Sequence, residues 1–310
     1  MTYLITGASG FIGRFLVEKI VLDLGEPVVA LDKVPISPFK DHPKIKYLVG
    51  DVSDVVTISK VMSKYRPKVI YHLAALLADA CEADPIAALR VNIDATQYLI
   101  DLGVAHGVEK FIFMSSEGVY HPDTPEPVKE EQAGNPPIYY GITKYAGELI
   151  GLWYSRKGYI DFRALRPTVV FGPGRFRGPS AEYSSLIIES ALRGETAIIK
   201  NPDDRVNYIY VRDTVNALIK LGEAEKAPSR VYNVGGFVSK VIDFAEMVKK
   251  YIPSLRYEIR PQPTVRYPAV VDMTRAMNEL GWRPEYLYEK AIEDYIETVR
   301  KGATLFNIYA

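Results

Sequence analysis

Short apolar runs alternate with longer amphipathic stretches through the first half of the chain, which is the pattern of βαβ units around a mostly parallel sheet. Strands are predicted at Thr2–Thr6, Pro27–Leu31, Ile45–Val49, Val69–Leu73, Lys110–Met114 and Asp161–Arg166. Helices are predicted between them, near Ile12–Leu24, Val55–Lys64, Pro85–His106 and Tyr140–Lys157. In the third helix Ile86, Leu89, Ile93 and Ile100 share one face, which belongs in a core or an interface. The alternation stops after Arg166-Pro167. There the stretch Phe171-Gly172-Pro173-Gly174-Arg175-Phe176-Arg177-Gly178-Pro179 reads as a long loop and the best boundary.

The second half is more irregular. It predicts helices near Tyr183–Arg193, Thr214–Glu225, Ile242–Tyr251, Asp272–Leu280 and Tyr286–Lys301, with strands near Tyr208–Val211 and Arg230–Val234. Pro261, Pro263 and Pro268 mark an extended segment.

Composition narrows the function classes. The 310 residues are 48% hydrophobic, with 38 Lys and Arg against 38 Asp and Glu, so the chain is globular and has no long-range field for nucleic acid or anionic lipid. No nucleic-acid or membrane partner is expected. Cys81 is the single cysteine and cannot form an internal disulfide, and His42, His72, His106 and His121 lack zinc spacing, so no metal is expected. With no apolar run of bilayer length and no signal segment before Tyr3-Leu4-Ile5, the expected location is cytoplasmic.

The chemistry begins at the first turn. Gly7-Ala8-Ser9-Gly10-Phe11-Ile12-Gly13 joins the first strand to the first helix, leaving backbone N–H groups open to a pyrophosphate at the helix's positive end. Asp32 ends the second strand 19 residues past Gly13, the separation at which a carboxylate meets the adenosine ribose hydroxyls. It repels a 2′-phosphate and favours NAD over NADP, although Lys33 partly offsets it. Asp51, followed by Val52, ends the third strand, where it serves either the adenine amino group or the cap of the next helix.

Tyr140 and Lys144 stand at i and i+4, hence on one helical face. A phenol with a pKa near 10 needs about 4 kcal/mol to become a base at neutral pH, and an ammonium about 4 Å away supplies that at an effective dielectric near 20. Tyr286 and Lys290 repeat the spacing, but in an outer helix. Ser116 emerges at the carboxyl end of a central strand, where ligands bind, and there it either polarises a substrate oxygen or satisfies its own turn. Arg175, Arg177, Arg205 and Arg212 are candidates for gripping a phosphate or carboxylate, with Arg175 and Arg205 taken as substrate-binding.

These pieces, with His72-Leu73-Ala74-Ala75, Val91-Asn92, Leu165-Arg166-Pro167 and Tyr232-Asn233-Val234-Gly235, resemble in order the extended short-chain dehydrogenase/reductases of the NAD-dependent epimerase/dehydratase family. The resemblance implies a Rossmann-like doubly wound α/β domain over residues 1–166. A smaller substrate lobe follows over 167–310, with segments returning to the first domain. It implies a catalytic triad of Ser116, Tyr140 and Lys144, with Tyr140 the acid/base and Lys144 also holding the nicotinamide ribose. Leu73, Ala74 and Ala75 would line the cofactor site, together with Gly7, Gly10, Phe11, Ile12 and Gly13, and Asn92 would support its pocket. Two branches compete. UDP-galactose 4-epimerase-like members share Phe171-Gly172-Pro173-Gly174 and a segment like Tyr208 to Asp213. Epimerase-like L-threonine 3-dehydrogenases share Glu82-Ala83-Asp84-Pro85 and Glu182-Tyr183. The expected activity is hydride transfer at a secondary alcohol, as a sugar-nucleotide epimerase first, a small-hydroxy-substrate dehydrogenase second, and a non-catalytic NAD sensor third. The resemblance also implies a homodimer through the helices near Pro85–His106 and Tyr140–Lys157.

Overall fold

The computed structural model describes residues 1–262 and 265–309, so Pro263 of the expected extended segment lies outside the described residues. The elements in chain order are β1 (Tyr3–Thr6), α1 (Phe11–Lys19), β2 (Val28–Asp32), β3 (Ile45–Val49), α2 (Val55–Tyr65), β4 (Val69–His72), α3 (Ala78–Ala83) and α4 (Pro85–Ala88). Then come α5 (Ala95–His106), β5 (Lys110–Met114), α6 (Tyr139–Arg156), β6 (Asp161–Pro167), β7 (Val169–Phe171), α7 (Pro179–Glu182), α8 (Ser185–Arg193), β8 (Thr196–Ile199) and β9 (Arg205–Tyr210). The chain ends with α9 (Val211–Glu223), β10 (Val231–Val234), β11 (Phe237–Lys240), α10 (Val241–Tyr251), β12 (Arg256–Ile259), α11 (Thr274–Glu279) and α12 (Glu289–Lys301).

Seven strands form one parallel sheet in the order β10-β6-β5-β4-β1-β2-β3. The order of the strands, not their direction, reverses between β4 and β1, which opens a crevice at their carboxyl ends. Alternate strand residues feed two cores. Leu4, Val29, Ile70, Phe111 and Phe162 pack under α2, α5 and α6, while Ile5, Tyr71, Ile112 and Leu165 join α1 and α9 on the other face. This two-sided burial explains the continuous apolar runs of the central strands. The chain beyond Pro167 also supplies β10 and α9 to this assembly. Two small sheets, β11-β9-β7 and β12-β8, lie apart from it.

Four strands escaped the sequence pattern: β7, β8, β11 and β12 are only three or four residues long, too short to show a period. The predicted helix near Tyr286 begins at Glu289, so Tyr286 and Lys290 are not a helical pair, although the Lys290 ammonium lies 4.6 Å over the Tyr286 ring. Asp54, not Asp51, caps α2 through the Val56 N–H at 3.0 Å. The Ile86 to Ile100 stripe divides, because a π-helical stretch at Leu89–Asp94 shifts the face by a residue per turn. Ile100 is core, whereas Ile86 and Leu89 are 64% and 41% exposed.

Arg163 occupies an inward position of β6 on the α9 side. Its guanidinium donates to the carbonyls of Leu221 and Ala224 at the C-terminus of α9 and pairs with Asp161 at 2.7 Å. Lys110 of β5 donates to the Gly222 and Ala224 carbonyls of the same terminus. Two cations thus satisfy the open end of a helix from the second half and favour its dipole, docking it on strands of the first. Arg163→Met removes the side-chain donor to the Leu221 carbonyl and leaves the Ala224 carbonyl to Lys110 alone. It is expected to cost about 3–5 kcal/mol, read as a lower urea midpoint.

Candidate active site

The β1–α1 turn is built by close backbone approach. Gly7 has φ +70°, and a Cβ there would stand 2.7 Å from the Ala74 nitrogen; a Cβ on Gly13 would stand 2.2 Å from the Gly7 carbonyl. Glycine at both positions is therefore required, and the turn brings the first helical N–H groups to the sheet's crevice. Residues 73 to 75 flank it, with the Leu73 N–H on the Thr6 carbonyl at 3.2 Å and the Ala74 N–H on the Thr6 hydroxyl at 3.3 Å. Asp32 closes the same edge, accepting from the Ser9 N–H at 2.8 Å and the Val34 N–H at 3.2 Å. Lys33 is exposed and Val52 buried. Asp51 accepts from the Ser53 N–H at 2.8 Å and hydroxyl at 2.7 Å. A cradle that a Cβ would fill, an open helix N-terminus and a carboxylate on the adjacent strand fit a dinucleotide.

Asn92 ties the flanking loop to α6. Its Oδ1 accepts from the Leu76 N–H at 2.8 Å, and its Nδ2 donates to the Leu76 carbonyl at 3.1 Å and the Thr143 hydroxyl at 3.0 Å. His72 is buried between the Thr6 and Thr96 hydroxyls, 2.7 and 3.0 Å away. Burial, then the Lys144 charge, push its pKa down to about 3, so it is a neutral core group.

On the other wall α6 carries Tyr140 and Lys144. The first turn of α6 rests on the Ser116–Val119 turn, where a Cβ on Gly141 would stand 2.1 Å from the Gly118 carbonyl. Ser116 Oγ accepts from the Gly118 N–H at 3.0 Å and hydrogen-bonds the Tyr140 phenol, which lowers that phenol's pKa. Burial outweighs this and pushes the phenol up to about 12, with the Arg175 charge pulling it down. The expectation that Lys144 acidifies Tyr140 is not met in this arrangement. The Lys144 ammonium turns back to the Met114 carbonyl at 2.8 Å and lies 5.7 Å from the centre of the Tyr140 ring. Burial brings its own pKa down to about 8.

Ser116, Tyr140 and Lys144 therefore stand together at the crevice, with Arg175 near Tyr140. Arg205 lies farther out, paired with Glu126 at 3.3 Å. Arg212 is not at the site, since it holds Asp294 at 2.7 Å and Thr298 at 3.0 Å. Arg177 is exposed.

A cavity of about 40 Å³ reaches in as far as Glu117, the chain neighbour of Ser116. Glu117 and Tyr183 line its inner part and Lys200, Arg205 and Arg266 its polar wall, over apolar Val169, Ile198 and Val206. Glu117 and Tyr267 carried no role in the sequence reading. The carboxyl of Glu117 is buried and has no hydrogen-bond partner among the described residues, and burial raises its pKa to about 8. The Tyr267 hydroxyl is also buried without a partner. The one sequence signal for Glu117 is its place directly after Ser116 at a strand end.

Comparison with known proteins gives one consistent match. The family model described as the NAD dependent epimerase/dehydratase family matches residues 3–235. D-erythronate dehydrogenase of Cupriavidus necator is 29% identical over 96% of this chain and 98% of its own. UDP-glucose 4-epimerase of Mycolicibacterium smegmatis is 27% identical over 97% and 99%. The crystal structure of the Thermotoga maritima UDP-glucose 4-epimerase with UDP-glucose superimposes with TM-score 0.87 at 26% identity, over 97% and 99% of the two chains.

Glu117 makes stability pH-dependent. Between about pH 5 and 8 the unfolded chain has released this proton and the folded chain keeps it, so stability falls as pH rises and levels off above 8. Glu117→Gln is expected to remove that component, on the order of 3–5 kcal/mol across the window, read as a flatter pH dependence of the urea midpoint than in the parent.

Proposed function

From the premise that this chain belongs to the NAD-dependent epimerase/dehydratase family, we propose that it oxidises a secondary alcohol by hydride transfer through Ser116, Tyr140 and Lys144. The observation that carries this is the convergence of those three side chains on the crevice beside the glycine turn. NAD, when bound, supplies the hydride acceptor. Ser116 holds the substrate oxygen, and Tyr140 takes its proton. Lys144, with one N–H on Met114, has two further donors to steady the nicotinamide ribose. The Lys144 ammonium, 5.7 Å from the Tyr140 ring centre, would act against the burial that holds the proton on Tyr140, and a bound cofactor's positive charge would add to it. Gly7, Gly10, Phe11, Ile12 and Gly13 receive the pyrophosphate, while Asp32, Lys33, Asp51 and Val52 surround the adenosine. Residues 1–166 are the cofactor lobe and 167–310 the substrate lobe.

The cavity's reach from Glu117 to Lys200, Arg205 and Arg266 supports an extended ligand and hence a sugar-nucleotide epimerase. A specific observation favours a dehydrogenase of a small hydroxy substrate as the second reading. Each outer cation already has a carboxylate: Lys200 with Glu182, Arg205 with Glu126 and Arg266 with Asp204. Incubation with UDP-glucose, L-threonine or D-erythronate separates them, since sugar interconversion without NADH accumulation supports the epimerase and steady NADH growth the dehydrogenase. Tyr140→Phe is expected to lower turnover by at least about 100-fold while NAD affinity changes little; unchanged turnover removes Tyr140 from the mechanism.

The homodimer is proposed on the same footing. Ile142, Leu149 and Trp153 on α6 are 47, 47 and 44% exposed beside Ile86 and Leu89, an apolar face matched to a second copy. Light scattering on the Ile86→Asp, Leu149→Glu double variant is expected to give a monomer mass where the parent gives a dimer.

A further inference from the structure

Arg175 has no counter-ion among the described residues. Arg175 extends from the 172–179 loop toward Phe11 of the glycine turn, its guanidinium 5.7 Å over that ring. Nη2 donates to the Ser180 hydroxyl at 2.5 Å, and Nε is enclosed without a partner among the described residues. No ion pair holds it among the described residues, in contrast to Lys200, Arg205 and Arg266. Burial lowers its pKa, yet a guanidinium stays charged in a protein. Its charge acts on the phenols of Tyr140 and Tyr183, so it stands near Tyr140 on one side and near Tyr183 of the cavity lining on the other.

A half-buried guanidinium whose Nε is enclosed and without an anion is costly unless the ligand brings one. At Tyr140 the demand is greater, because Lys144 and the oxidised nicotinamide ring both bring positive charge. The dinucleotide's own phosphates have the glycine turn and the N-terminus of α1. The arginine whose charge acts on Asp32 at the adenosine end is Arg14, not Arg175. Tyr267, with its unpartnered hydroxyl, and the neutral Glu117 carboxyl face the same space and suit the hydroxyls of a polar ligand.

We propose that the substrate is a hydroxy carboxylate and that Arg175 receives its carboxylate through paired N–H···O bonds from Nε and an Nη while the alcohol lies on Ser116 and Tyr140. This rests on the hydride-transfer reading. The same carboxylate is offered by a free hydroxy acid and by the uronate ring of a nucleotide sugar, so both are probed.

Calorimetry on the NAD-loaded Tyr140→Phe protein reads binding without turnover. Two pairs are titrated, D-erythronate against erythritol and UDP-glucuronate against UDP-glucose. In one pair the acid is expected to bind about 10- to 100-fold more tightly than its neutral counterpart, and that pair identifies the source. Arg175→Gln in the same background is expected to erase the preference with NAD affinity within about twofold, and Arg175→Lys to keep part of it. The proposal is overturned if neither acid outbinds its neutral partner, if the preference survives Arg175→Gln, or if that change weakens NAD instead. Failure of hydride transfer is read separately, as absent NADH formation and absent sugar interconversion in the parent enzyme.

Discussion

The buried ion pair between Glu148 and Arg166 sets the position of everything that reacts. Arg166, on β6, reaches the Glu148 carboxylate of α6 at 2.8 and 2.5 Å, and Ser115 at the end of β5 donates to the same carboxylate. The guanidinium also meets the Tyr120 hydroxyl and the Glu130 carbonyl, both at 2.8 Å. A charge pair so enclosed is tolerable only because nearly every donor and acceptor is used. Its structural effect is to pin α6 across two strand ends. Tyr140 and Lys144, two turns and one turn before Glu148, are held over the crevice as a consequence.

Burial then decides the electrostatics. Away from solvent the Tyr140 phenol and the Glu117 carboxyl both keep their protons, and Lys144 is less firmly charged than a surface lysine. Each departure disfavours the charged form, so the site as it stands is poised for ligands that supply the missing charge. The outer cavity wall is different, because its lysine and arginines are neutralised by carboxylates of the same chain. The cations thus divide into a matched rim and an arginine near Tyr140 without an ion pair among the described residues.

Much of this was legible along the chain. The six strands of the first half and the helices between them fell where the alternation put them, because central strands buried on both faces must be apolar. The glycine turn, Asp32, Ser116, Tyr140 and Lys144 were legible because each sits at a fixed offset from a strand end. Arg212 away from the site and a Lys144 ammonium turned from the Tyr140 phenol depart from the sequence pattern for one reason. A side chain's partner is chosen by what packs beside it, and here α12 takes Arg212 and the Met114 carbonyl takes Lys144.

The sequence by itself determined the parallel doubly wound sheet and put the glycine turn, Ser116, Tyr140 and Lys144 at strand and helix ends, since periodicity and local spacing encode element positions directly. Only the tertiary structure decided that, among the described residues, the buried Glu117 carboxyl, the Tyr267 hydroxyl and the Arg175 guanidinium near Tyr140 have no carboxylate or carbonyl partner. Those properties depend on segments far apart in the chain meeting away from water, and desolvation leaves no mark on the order of residues.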